Sequence, residues 1–233
     1  MTVAVMSVPQ TRELEMREAF EAFIERSEYP CVGAKSTLAR GTLKTLFAKD
    51  MTSGWDDLRI HDALLDWAES YRDDRSYLRS LAVMYEGPLD ADEHAFEKRL
   101  WERLQSLADK DEWFSQPYDA SVSPDPSDPH FSLSFGGEAF FVVGLHPNAS
   151  RPARRFAYPT LVFNLHDQFE KLREQGRYER MREAILARDT KLAGSINPML
   201  ARHGETSEAR QYSGRAVASD WICPFSDKRN SPK

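Results

Sequence analysis

The chain has 233 residues, of which 41% are hydrophobic and 29% charged, with a formal net charge of −6. That length reaches the upper range of one domain and can enclose a large core together with an interior ligand. Acidic and basic residues are interspersed, which excludes the basic footprint of a nucleic-acid binder, and no apolar run approaches membrane-spanning length.

In chain order, Leu14, Phe20, Phe23 and Ile24 predict an amphipathic helix over 11–25 that stops before Pro30. The segment 36–49 mixes Thr, Leu and Phe and reads as a strand or a short helix. A second helix is expected over 56–71, with Ile60, Leu64, Leu65 and Trp67 toward its buried side. Residues 78–85 read as a buried strand ended by Gly87-Pro88. Asp90 is the expected N-cap of a third helix carrying Phe96, Leu100, Trp101 and Leu104. The Ser, Asp and Pro content of 116–130 marks an extended surface loop. Two apolar runs, 131–135 and 138–144, flank Gly136-Gly137 and predict a hairpin, which the run 159–164 should join. Helices follow over 167–188 with a break at Gly176, and the tail from Gly194 reads as irregular. The expectation is one α+β domain over 1–233, an antiparallel sheet with packed helices, with 1–10 and 226–233 as loose ends.

Cys31 and Cys223 stand near opposite ends of the chain, and the N-terminus lacks the charged flank and long apolar core of a signal peptide. The expectation is therefore a cytoplasmic protein with reduced thiols. Cys31 lies in Pro30-Cys-Val-Gly33. A cysteine followed two residues later by glycine can present a thiolate to haem iron, with amide N–H groups steadying the sulfur. The competing reading of Cys31 is a small buried hydrophobe. Cys223 precedes proline, lacks the following glycine, and is the weaker candidate.

Polar residues gather where the hairpin ends, in His146-Pro-Asn-Ala-Ser-Arg151-Pro-Ala-Arg154-Arg155. His146 can ligate a metal or haem or shuttle protons, or it can simply cap the strand. His166 ends the next strand-like run, so both imidazoles are expected on one edge of the sheet. With Asp167 nearby, a non-haem iron site stays open. Arg151, Arg154, Arg155 and Lys35 are either solvated charges or partners for ligand carboxylates such as haem propionates. Glu138, beside two glycines, either faces water or receives a cationic group such as a guanidinium. Trp221-Ile-Cys-Pro-Phe225 is too apolar for a frayed tail and implies docking into the core.

Five blocks taken together resemble the YqcI/YcgG family: residues 30–36, 135–151, 163–169, 211–214 and 221–225. Within that family they are most similar to the guanitoxin-type haem-dependent N-hydroxylases and related arginine hydroxylases. The resemblance runs from about residue 20 to 225. It implies haem b, dioxygen as co-substrate, and a monooxygenase that hydroxylates a guanidine or amine nitrogen of a small cationic substrate such as arginine. The electron donor is unspecified, and a homodimer is left open. Under this reading Cys31, alternatively His146, ligates the iron. His146 or His166 relays protons, Glu138 holds the guanidinium, and Lys35, Arg151, Arg154, Arg155, Tyr212 and Trp221 belong to the cofactor's surroundings. A non-catalytic haem or small-molecule binding protein and a non-haem iron oxygenase are the alternatives.

Overall fold

The two-residue period of the strands sorts side chains into two cores. Odd-numbered Leu81, Val83 and Tyr85 of β2 (Ser80–Gly87) pack into the larger core, while Ala82 and Met84 join the smaller one on the other face. In the computed structural model, which describes residues 8–199 and 204–229, β2 lies in a five-stranded sheet. Its companions are β1 (Leu43–Asp50), β3 (Leu133–Phe135), β4 (Glu138–Leu145) and β5 (Thr160–Leu165), in the order β1-β2-β5-β4-β3. The architecture is α+β. The sheet is mixed rather than wholly antiparallel, because a helix carries the chain back between β1 and β2 and leaves them parallel. The other three pairings are antiparallel.

That crossover helix is α3 (Asp57–Asp73), which with α4 (Glu93–Trp113) covers the face of the larger core. α3 buries Ile60, Leu64, Ala68 and Tyr71, and α4 buries Phe96, Leu100, Trp101, Leu104 and Leu107. The N-cap of α4 is Asp92 instead of Asp90. Its carboxylate accepts the Ala95 amide at 2.7 Å, three residues on, within the first turn of the helix. The opposite face is covered by α1 (Val8–Glu25), α2 (Val32–Ala39), α5 (Asp167–Glu174) and α6 (Tyr178–Ala193). The ambiguous segment 36–49 divides: α2 ends at Ala39, Gly41 takes the left-handed conformation (φ 68°), and β1 follows.

The tail docks as its composition implied. Phe225 is buried, and Trp221 packs on Trp101 with ring centroids 6.2 Å apart. Residues 226–229, expected to be loose, are pinned: Arg229 pairs with the fully buried Asp111, which also accepts the Gly136 amide at 3.0 Å and sits 2.9 Å from His61 Nε2. The outermost expected loose residues, 1–7 and 230–233, lie outside the described residues. A short helix, α7 (Ala209–Tyr212), contributes Tyr212 to the core against Trp101, Phe131 and Phe141.

Gly144 lets β4 approach α4 and α7. A Cβ there would lie 2.8 Å from Leu100 Cδ1 and Phe96 Cε1, and 2.9 Å from the Tyr212 carbonyl oxygen. Gly144→Ala should therefore destabilise the fold by about 1–3 kcal/mol through overpacking, measured by urea unfolding. Unchanged stability would show that α4 and α7 can yield there.

Candidate functional site

Between the sheet and the α1, α2, α5 and α6 layer lies a cavity of about 290 Å³. Antiparallel register builds its floor: Phe141 is paired with Asn164 and Val143 with Val162, so all four side chains share one face. Phe20 and Ile24 of α1 and Met181, Ile185 and Leu186 of α6 supply apolar walls. Such an apolar enclosure with a few polar groups is the usual form of a small-molecule or cofactor site.

Cys31 lines this cavity as the N-cap of α2. Its backbone is extended (φ −74°, ψ 101°), and its sulfur accepts the Ala34 amide at 3.4 Å. Burial pushes the thiol pKa up, opposed by the Ala34 and Gly33 amides and by the charge of Arg154. The amides thus come from the start of a helix rather than from a glycine turn. Gly33 lies within α2, and a Cβ on it would sit 3.8 Å from Sγ. Gly33 and Cys31 both line the cavity.

Arg154 closes the short 3₁₀ turn Pro152–Arg154 and also lines the cavity. Its guanidinium donates to the carbonyls of Gly144 (2.9 Å), Gln211 (3.1 Å) and Tyr212 (3.3 Å). Among the described residues no carboxylate lies within ion-pair distance of it, and burial pushes its pKa down. A cation held by neutral carbonyls at a cavity wall is suited to an anionic ligand group. Arg151 is committed differently: it pairs with the buried Asp189 of α6 at 2.5 Å and donates to the Ser195 carbonyl.

His166 and Glu208 form the other polar end. His166 Nε2 is 3.1 Å from Glu170 Oε1, and its Nδ1 is 3.7 Å from Glu208 Oε2. Burial pushes the imidazole pKa down, so it is neutral at pH 7. Glu208 accepts hydrogen bonds from Tyr212 Oη (2.5 Å) and Ser132 Oγ (2.7 Å). Burial nevertheless pushes its pKa up to about 7. Glu208 was missed in the sequence. The signal that could have found it is helical spacing, since it stands four residues before Tyr212.

The model of the YqcI/YcgG family matches residues 20–226, which include every residue that lines the cavity. The chain belongs to the YqcI/YcgG family. No curated protein and no solved structure matches it. No helix among the described residues is long and apolar enough to cross a membrane.

Several candidates in this YqcI/YcgG chain fall outside the cavity. His146 was expected on one edge of the sheet with His166. Antiparallel pairing prevents this, because the end of β4 lies beside the start of β5: Leu145 is paired with Thr160, and Phe140 with Leu165. His146 lies one rung beyond the first pair and His166 one rung beyond the second, opposite Ala139, so the two are about seven rungs apart, roughly 23 Å along the strands. His146 also faces the larger core, stacked on Phe96 at 4.3 Å. A site ligated by both histidines is ruled out by that spacing. Among the described residues no group of three or more His, Cys, Asp and Glu is placed to hold a metal ion.

Glu138 is buried, but its carboxylate already receives a guanidinium from within the chain, Arg75 at 2.6 Å. Arg75 bridges in turn to Asp167, which Tyr71 Oη contacts at 2.6 Å. Lys35 donates to the Arg26 carbonyl at 2.6 Å, and Arg155 braces the carbonyls of Ala149 and Ser150. Tyr212 and Trp221 pack in the larger core. Cys223 packs there too, its thiol pushed up to about 12 by burial.

The Arg151–Asp189 pair ties the 3₁₀ turn to α6 at the cavity wall. Arg151→Met leaves the Asp189 carboxylate buried without its partner and should cost roughly 3 kcal/mol. Arg155→Ala, at an exposed side chain, should cost under about 1 kcal/mol. Equal losses on urea unfolding would refute the difference assigned to the two arginines.

Proposed function

We propose that this protein is a haem-dependent oxygenase that hydroxylates a guanidine or amine nitrogen of arginine or a related small molecule. The observation that carries the reading is the pairing, on one apolar cavity, of a cysteine at a helix N-terminus with an arginine that has no carboxylate partner among the described residues. These residues fit haem b: Cys31 would hold the iron, and Arg154 would receive a propionate. The raised pKa of the free Cys31 thiol is no obstacle, because metal coordination deprotonates a thiol outright. When bound, haem would supply dioxygen activation, with a reductant outside the chain providing two electrons and water formed as the second product.

The chain's own residues perform the remaining tasks. The α2 amides would steady the negative charge that iron coordination places on the Cys31 sulfur. Phe20 and Ile24 on the wall and Phe141 and Val143 on the floor make the cavity unfavourable to water. Glu170 is 41% exposed at its side chain, so protons from solvent reach it and pass to the neutral His166, which lines the cavity. His166 thus takes the relay role that the sequence shared between two histidines.

The ferrous–CO complex of the purified protein should show the strongly red-shifted Soret band of thiolate-ligated haem. Cys31→Ala should abolish or shift it, and His146→Ala should leave it in place. Arg154→Met should weaken haem retention about tenfold or more, as expected for loss of a charge-assisted hydrogen bond. Protein that is colourless and has no affinity for added haem would overturn the proposal. Substrate-dependent oxygen consumption with hydroxylated product separates an oxygenase from a haem-binding protein.

Glu138→Gln should lower stability, since Arg75 loses its buried partner, while leaving substrate affinity unchanged. Weakened guanidinium binding in the folded variant would restore Glu138 to the site.

A further inference from the structure

We infer that Glu208 is the specificity-determining anion of the cavity, receiving the planar cationic end of the substrate in exchange for a proton. The inference deepens the reading above and takes from it the placement of substrate in this cavity. Its support is geometric. Glu208 lines the cavity, and its side chain is 12% exposed. The other two carboxylates on or beside the cavity are committed to guanidinium groups: Asp189 to Arg151 and Glu170 to Arg173. Among the described residues, no lysine or arginine lies within ion-pair distance of Glu208.

Oε1 of Glu208 is fixed by two hydroxyl donors, Tyr212 and Ser132. Those bonds orient the carboxylate through Oε1, and His166 Nδ1 lies 3.7 Å from Oε2. A neutral imidazole there is a weak competitor. A guanidinium or amidinium can donate a charge-assisted N–H to Oε2 within an apolar enclosure, where such bonds are strongest. A neutral amide or urea of the same shape lacks the charge.

The proton follows from burial. The charged and titratable groups that face Glu208 are His166 at the junction of β5 and α5, Glu170 and Arg173 from α5, Tyr212 from α7, and Tyr118 from the loop before β3. Of these, Arg173 favours the ionised carboxylate and Glu170 opposes it, and the balance with desolvation sets a pKa of about 7. Below that pH free Glu208 carries a proton. A bound cation requires the carboxylate, so the proton is released to solvent on binding, and total charge is conserved. Affinity for a cation is therefore full above pH 7 and is lost as pH falls through 7.

The test is calorimetric titration of the full-length protein, with its haem content read by absorption, against methylguanidine and agmatine at pH 6 and pH 8. N-Methylurea is the uncharged control. Wild type should bind the cations about tenfold more weakly at pH 6 than at pH 8, releasing protons that appear as a dependence on buffer ionisation heat. Glu208→Gln, which keeps an acceptor for Tyr212 and Ser132, should bind weakly at both pH values with no proton release. Ser132→Ala removes a hydrogen bond to the carboxylate and should move the midpoint to higher pH, a shift that a purely structural role would not produce. Binding independent of pH, or a pH dependence retained in Glu208→Gln, overturns the inference. Failure of haem binding with pH-linked cation binding intact would overturn the oxygenase reading and leave Glu208 in its role.

Discussion

The antiparallel pairing of β4 with β5 is the constraint on which the site depends. It places Phe141, Val143, Val162 and Asn164 on one face and Phe140, Val142, Leu161 and Phe163 on the other. One face is sealed by α3 and α4 into a dense core. The other is covered by α1, α2, α5 and α6, and the cavity lies between them and the sheet. Shifting the register by one residue would exchange the two sets and bring the larger core's aromatic rings into the cavity. Gly144 protects the register by letting β4 sit against Phe96 and Leu100 with no side chain between.

The same pairing explains which candidate residues can cooperate. Chemistry-bearing residues cluster at strand ends, and neighbouring antiparallel strands end at opposite edges of a sheet. His146 and His166 look equivalent in the sequence because each closes an apolar run. In three dimensions they occupy different ends and different faces, one stacked on Phe96 and the other lining the cavity. Their local sequence contains no record of strand order, so the pattern could indicate that each ends a strand but not that the two are far apart.

Much of the frame was legible for a physical reason: long periodic runs bury whole faces. The helices carrying Phe20 and Ile24, Ile60 and Leu64, and Leu100 and Leu104 form where the 3.6-residue repeat places them, and the Gly136-Gly137 hairpin forms between β3 and β4. The eight-residue α2 was not legible, because Val32–Ala39 is too short for a periodic signal and borrows its cap from Cys31. Charges were the least legible. Glu138 resembled a receptor for a guanidinium and is one, but the guanidinium is Arg75, 63 positions away in the chain. Arg154 and Arg155 are adjacent and chemically identical, yet one lines the cavity and the other braces a surface loop. Pairing over such separations is decided by tertiary contacts that no local spacing encodes.

The two uncommitted charges give the cavity a direction. Arg154 is anchored at the Gly144 rung of β4, and Glu208 is anchored through Tyr212 near the Phe140 carbonyl. Four residues separate those rungs, roughly 14 Å along the strand. Both are hydrogen-bonded by neutral groups, among the described residues neither has a lysine, arginine or carboxylate partner within ion-pair distance, and the floor between them is apolar. An anionic group is favoured at the Arg154 end, beside Cys31, and a cationic group at the Glu208 end, beside His166. A ligand or cofactor–substrate pair bearing opposite charges at its two ends would neutralise both at once, whereas a reversed orientation would bring like charges together at both. Orientation is thereby selected by repulsion as much as by attraction, which is how a cavity with mostly apolar walls can still enforce one binding geometry.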